Sequence, residues 1–100
     1  MLAAFSISPA TAGADGGVAE AVARAVSVVR ASGLPYETNA MFTNIEGEWD
    51  EVMTVIREAV EAVAAVSPRV SLVLKADIRY GHTGMLHGKV QRIDELLDRD

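Results

Sequence analysis

Residues 36–50 read YETNAMFTNIEGEWD. The first eleven alternate in an extended manner, Glu46-Gly47 breaks the pattern, and Trp49 opens a long amphipathic run. Such a stretch predicts a strand over 36–41 and another over 42–46, followed by a helix. No Asn-Gly or Asp-Gly marks the turn between the strands. A tight hairpin would turn at Asn39-Ala40, and a single bent strand is the alternative. A hairpin puts Asn39, Thr43 and Glu46, unusual polar residues in an Ala/Val-rich chain, on or beside a sheet.

On the C-terminal side, residues 49–66 predict the clearest helix. Trp49, Val52, Met53, Ile56, Ala59, Val60 and Val63 form one stripe, which puts Trp49 in the core. Asp50 and Glu51 suit the positive end of its dipole, and Ser67-Pro68 stops it. Residues 69–80 predict the longest strand, with Val70, Leu72, Leu74, Ala76 and Ile78 alternating with Ser71, Val73, Lys75, Asp77 and Arg79. A turn at 81–84 leads to a helix over 85–97, striped by Leu86, Val90, Ile93 and Leu97. The charged last residues are expected to fray.

On the N-terminal side, residues 2–8 alternate, with Ala3, Phe5 and Ile7 on one face and Ala4, Ser6 and Ser8 on the other. A loop over 11–17 follows. A helix over 18–32 then begins near Asp15 or Gly16 and ends at Gly33. Leu34-Pro35 forces extended chain into the hairpin.

This order predicts one α+β domain over residues 1–100, a ferredoxin-like βαββαβ fold. Its four-stranded antiparallel sheet carries two helices on one face, with an extra C-terminal helix. The second sheet face then has no cover from within the chain. Ser6, Ser8, Ser71, Val73, Lys75, Asp77 and Arg79 point to it, joined by Asn39 and Met41 or their neighbours. A face this mixed suits sheet-to-sheet packing that leaves a polar pocket, or a small-molecule site between subunits.

Composition narrows the function. The net charge is −5, and the nine basic residues are scattered, which argues against nucleic acid. No stretch approaches the ~20 apolar residues of a membrane span. The N-terminus lacks the positive start and long apolar run of a signal peptide, which leads to the expectation of a soluble cytoplasmic protein. Cysteine is absent, so disulfides, thiolate metal sites and cysteine nucleophiles are excluded. His82 and His87 are five apart and lack an obvious third ligand, against a metal site. Gly81, Gly84 and Gly88 match no phosphate-binding motif, and neither Ser6 nor Ser8 sits in a glycine elbow beside a histidine. Neither a cofactor nor catalysis is expected.

Lys75, Asp77 and Arg79, two apart on a strand, point the same way. They suit a mutually neutralising surface ladder. They equally suit a site in which Asp77 orients a cationic or amide-bearing ligand while Lys75 or Arg79 supplies donors. Glu46 suits the entry to a tight turn, or a carboxylate accepting from an aminopyrimidine or similar donor pair.

Tyr36-Glu37-x-Asn39-x-Met41-x-Thr43-x-Ile45-Glu46-Gly47, then Asp50-Glu51-Val52-Met53, resembles the YkoF-like thiamine-binding family. So does Arg69-Val70 leading to Lys75-x-Asp77-x-Arg79 and Lys89-Val90. The likeness spans the chain in length and element order. It implies sheet faces paired in a homodimer or homotetramer, and binding of thiamine or its hydroxymethylpyrimidine moiety rather than catalysis. By position, Thr43, Glu46, Lys75, Asp77 and Arg79 match the family's residues, with Ser6 and Ser8 on the first strand. Phe42 stands where many relatives have glycine, which narrows the pocket or fills it from the side.

The leading expectation is a non-catalytic small-molecule binding protein. The alternatives are a structural or regulatory oligomer without ligand, and a cofactor-free enzyme on a dimeric scaffold of the same fold.

Overall fold

The computed structural model describes residues 1–10 and 18–98. Along the chain run β1 (Leu2–Pro9), α1 (Ala19–Ala31), β2 (Tyr36–Thr38), β3 (Thr43–Glu46), α2 (Trp49–Ala64), β4 (Val70–Asp77) and α3 (Met85–Leu97). The expected 11–17 loop, the helix start at Asp15 or Gly16 and the fraying of the last two residues lie outside the described residues. The strands form one sheet in the order β2-β3-β1-β4, with every neighbouring pair antiparallel.

The alternation of β1 decides the faces. Ala3, Phe5 and Ile7 are buried, and across the ladders they meet Ile45 and Thr43 on β3 and Ala76, Leu74 and Leu72 on β4. This face receives α1 through Ala21, Ala25 and Val29, and α2 through Val52, Val55, Ile56, Ala59 and Val63. The helices are short-range products of their sequences. α1 stops at Ser32, where Gly33 takes φ +77°, a conformation costly for any residue with a Cβ. α2 starts with the Glu48 N–H donated to Glu51 Oε1 at 3.0 Å, the side chain closing back on the orphan donor before the first turn.

Three expectations are corrected. Trp49 leads α2 but is 54% exposed, lining a surface pocket with Met1, Arg79 and Tyr80 instead of joining the core. Trp49→Ala is therefore expected to cost less than roughly 1 kcal/mol, as surface changes do. Thermal unfolding followed by circular dichroism checks this. The hairpin strands stop at Thr38 and resume at Thr43, so Asn39 and Met41 belong to the corner and not to a sheet face. β4 ends at Asp77, since its partner strand begins at Leu2, opposite Asp77. Arg79 therefore does not continue the line of Lys75 and Asp77.

The fourth correction concerns the second sheet face. By strand pairing it carries Leu2, Ala4, Ser6 and Ser8 of β1, Asn44 and Glu46 of β3, Glu37 of β2, and Ser71, Val73, Lys75 and Asp77 of β4. It is not left bare by its own chain. α3 lies against its corner, tied to Glu46 at one end and to Asp77 further along. Leu86 is the buried residue of α3, while Val90, Ile93 and Leu97 of the same stripe are exposed.

Candidate functional site

The corner under α3 is built in rows across the sheet. One row runs Glu46, Leu2, Asp77, and the next runs Glu37, Asn44, Ala4, Lys75. Leu2 and Ala4 on the central strand make a low apolar floor, because strand side chains stand perpendicular to the sheet and these two are uncharged. Asn44 rises on one side of it and Lys75 and Asp77 on the other. Lys89 reaches down from α3. Together the six residues line a cavity of about 170 Å³.

Glu46 places α3. It is buried, and its carboxylate accepts the Met85 N–H at 2.8 Å and the Leu86 N–H at 3.1 Å. The N-cap residue is Gly84, in the left-handed conformation with φ +68°, and it has no side chain to cap with. Glu46 supplies from the sheet the acceptors that a Ser or Asp would supply locally. Its negative charge also meets the positive end of the helix dipole.

One helical turn on, Lys89 donates to Asp77 Oδ2. The two side chains are 45% and 47% exposed, so this pair positions more than it stabilises. The hydrogen bond from Lys89 holds the Asp77 carboxyl below the usual carboxylate range, and the charges of Lys89, Arg79 and Lys75 act in the same direction. Asp77 is thus an ionised acceptor at any physiological pH.

Of the residues singled out in the sequence, the structure brings Lys75 and Asp77 together at this cavity. Ser6 and Ser8 share the face, opposite Val73 and Ser71, further along the strands. Thr43 does not share it. Thr43 and Glu46 are three residues apart on one strand, so they point to opposite faces. Thr43 is buried under the helices, with its Oγ1 3.1 Å from Thr38 Oγ1. Asn39 holds the hairpin corner, its Oδ1 accepting the Met41 and Phe42 N–H groups at 2.9 Å each. Met41 projects from that corner, 74% exposed. Arg79 lines a separate pocket of about 190 Å³ with Met1, Trp49 and Tyr80.

Asn44 and Lys89 were missed as site residues. The parity of β3 carried the signal for Asn44, since it shares a face with Glu46. Lys89 had no local signal, because its place depends on where α3 docks. Among the described residues no cluster of three or more His, Asp or Glu side chains is arranged to hold a metal ion. Among the same residues no helix is long and apolar enough to cross a membrane.

Comparisons with known proteins agree with this architecture. The chain is 52% identical over 100 residues to a UPF0045 protein of Mycobacterium tuberculosis, covering 99% of this chain and 96% of the relative. The crystal structure of a hypothetical protein from Methanocaldococcus jannaschii superposes with a TM-score of 0.83 at 35% identity, over 94% of this chain and 95% of that one. A Thermotoga maritima structure, described as that of a candidate thiamine biosynthesis/salvage protein, gives a TM-score of 0.79 at 26% identity, over 92% of this chain and 96% of that one. The family model described as thiamine-binding protein matches residues 3–94, and the chain belongs to that family.

Proposed function

We propose that this protein is a non-catalytic binder of thiamine or its hydroxymethylpyrimidine moiety, held on the open face of a ferredoxin-like sheet beneath α3. One observation carries the reading. The flat floor of Leu2 and Ala4, flanked by Asn44 and by Lys75, Asp77 and Lys89, offers a planar heterocycle an apolar seat with polar groups at its edges. The family to which the chain belongs makes a thiamine-type ring the natural candidate. Asn44 supplies both an amide donor and an acceptor, and Asp77 accepts from a ring amine. A general base works best with a pKa near the operating pH, and the pKa of Asp77 is displaced away from it. This supports binding over proton transfer.

The working form we propose is a cytoplasmic homodimer or homotetramer with neither a nucleic-acid nor a membrane partner. Exposed Leu72 and Leu74 on edge strand β4, and Val90, Ile93 and Leu97 on α3, support association. They also favour the second reading, an oligomer whose sheet face is filled by a partner's side chains.

Isothermal titration with thiamine and with hydroxymethylpyrimidine tests the proposal. Folded protein that gives no heat with either compound at high micromolar concentration would sink it. Asp77→Ala is expected to weaken binding about tenfold, the loss of one charge-assisted hydrogen bond, without changing the circular dichroism spectrum. An unchanged affinity removes Asp77 from the site.

A further inference from the structure

The charges around the cavity do not suit a cation alone. Its lining holds two ammonium groups, Lys75 and Lys89, against one carboxylate, Asp77. Asp77 is already paired with Lys89. Among the described residues Lys75 has no ion-pair partner, and neither has Arg79, whose charge also reaches Asp77.

The other acids of this face do not redress the balance. The charge of Glu46 is set against the positive N-terminal end of α3, whose backbone N–H groups both its oxygens accept. Glu37 stands on β2, three strands from Lys75 in the same row, at about 14 Å by ordinary strand spacing. A chain with a net charge of −5 therefore presents a locally positive trough.

We infer that this site is built for a heterocycle carrying a phosphate monoester, with the ring over Ala4 and the phosphate on Lys75. The inference rests on the thiamine-type reading above and adds the charge of the ligand to it. Asn44 and Lys75 flank Ala4 in one row, about 10 Å apart across two strand spacings. A ring with a phosphate-bearing arm spans that distance with one end at each residue. A monoester carries a charge of roughly −1.5 to −2 near neutral pH and offers three acceptor oxygens. It can take the free Lys75 ammonium and share Lys89 without breaking the contact to Asp77. A bare thiazolium cation would instead add positive charge beside two ammonium groups.

The test is isothermal titration of the full chain, and of Lys75→Gln, with thiamine, thiamine monophosphate and inorganic phosphate. Thiamine monophosphate is expected to bind at least about tenfold more tightly than thiamine. That preference should shrink as ionic strength rises from roughly 0.05 to 0.5 M. In Lys75→Gln, an exposed strand position whose folding circular dichroism verifies, the two affinities should approach one another.

Thiamine binding as tightly as its monophosphate overturns the inference and leaves the proposed function standing. So does a preference that survives in Lys75→Gln. Inorganic phosphate binding as tightly as the monophosphate also overturns it, since the ring would then contribute nothing. Binding of none of the three compounds overturns this inference, and the proposed function falls with it when hydroxymethylpyrimidine also gives no heat.

Discussion

Replacing Phe5 by alanine is expected to destabilise the protein by about 3–5 kcal/mol, the usual loss for a large aromatic truncated in a core. Phe5 is almost fully buried in the middle of β1, between Thr43 on β3 and Leu74 on β4, on the face that receives α1 and α2. Its neighbours explain why the upper part of that range applies. The core is made largely of Ala and Val, and its largest fully buried side chain is Ile45. Short side chains on fixed strands and helices cannot reach across to refill the space, so the cavity persists. Natural domains keep only about 5–15 kcal/mol in total, so this loss would leave a marginal protein. Phe5→Leu retains most of the volume and should cost less than about 1.5–2 kcal/mol. Urea denaturation read by circular dichroism distinguishes the two variants, with the midpoint lowered and the slope unchanged. A loss below about 1 kcal/mol for Phe5→Ala would mean that β1 is not the centre of the core.

The sheet was legible because burial writes a period of two into a strand. Ala3, Phe5 and Ile7 announced the covered face of β1; Leu72, Leu74 and Ala76 of β4 pair with them on that face, but as residues of an edge strand they remain exposed. α3 was legible to its end residues, since Gly81, Gly84 and a change of period mark its start and its apolar stripe ends at Leu97. Errors arose where the deciding contact is distant. The alternation of β4 continues to Tyr80 in the sequence, but a strand lasts only while its partner does, and β1 supplies none beyond Leu2. Trp49 fits the helical stripe, but at the first position of α2 it lies at a surface pocket with Met1, Arg79 and Tyr80 and is left half exposed. The corner of the hairpin was expected near Asn39, and the Asn39 side chain does close it. Seated there, Asn39 joins Ser6, Met41 and Thr43 in lining a different pocket, of about 140 Å³, and not the cavity under α3.

Glu46 is the sharpest case of this kind, and Glu46→Ala is expected to release α3 from the sheet. The contact joins residues 39 and 40 positions apart, so no local pattern could show it. The substitution strips acceptors from two N–H groups of the first turn of α3 and leaves nothing at Gly84 to replace them. Hydrogen bonds to a charged group are worth roughly 1.5–3 kcal/mol each, and the two share one carboxylate, so a loss of about 2–3 kcal/mol is expected. That loss should be local. α3 buries only Leu86 and contributes nothing to the cluster between the sheet and α1 and α2, which stays intact. Hydrogen exchange should accelerate in residues 85–97 while β1 and α2 keep their protection. Glu46→Gln, which keeps one acceptor oxygen, should fall between. The consequence for binding follows from Lys89, which lines the cavity only while α3 is docked. Affinity should therefore fall in Glu46→Ala even though the carboxylate itself is occupied by the helix. If Glu46 served the ligand directly, affinity would fall with the protection of α3 unchanged, so measuring both in one variant separates an anchor of the site from a member of it.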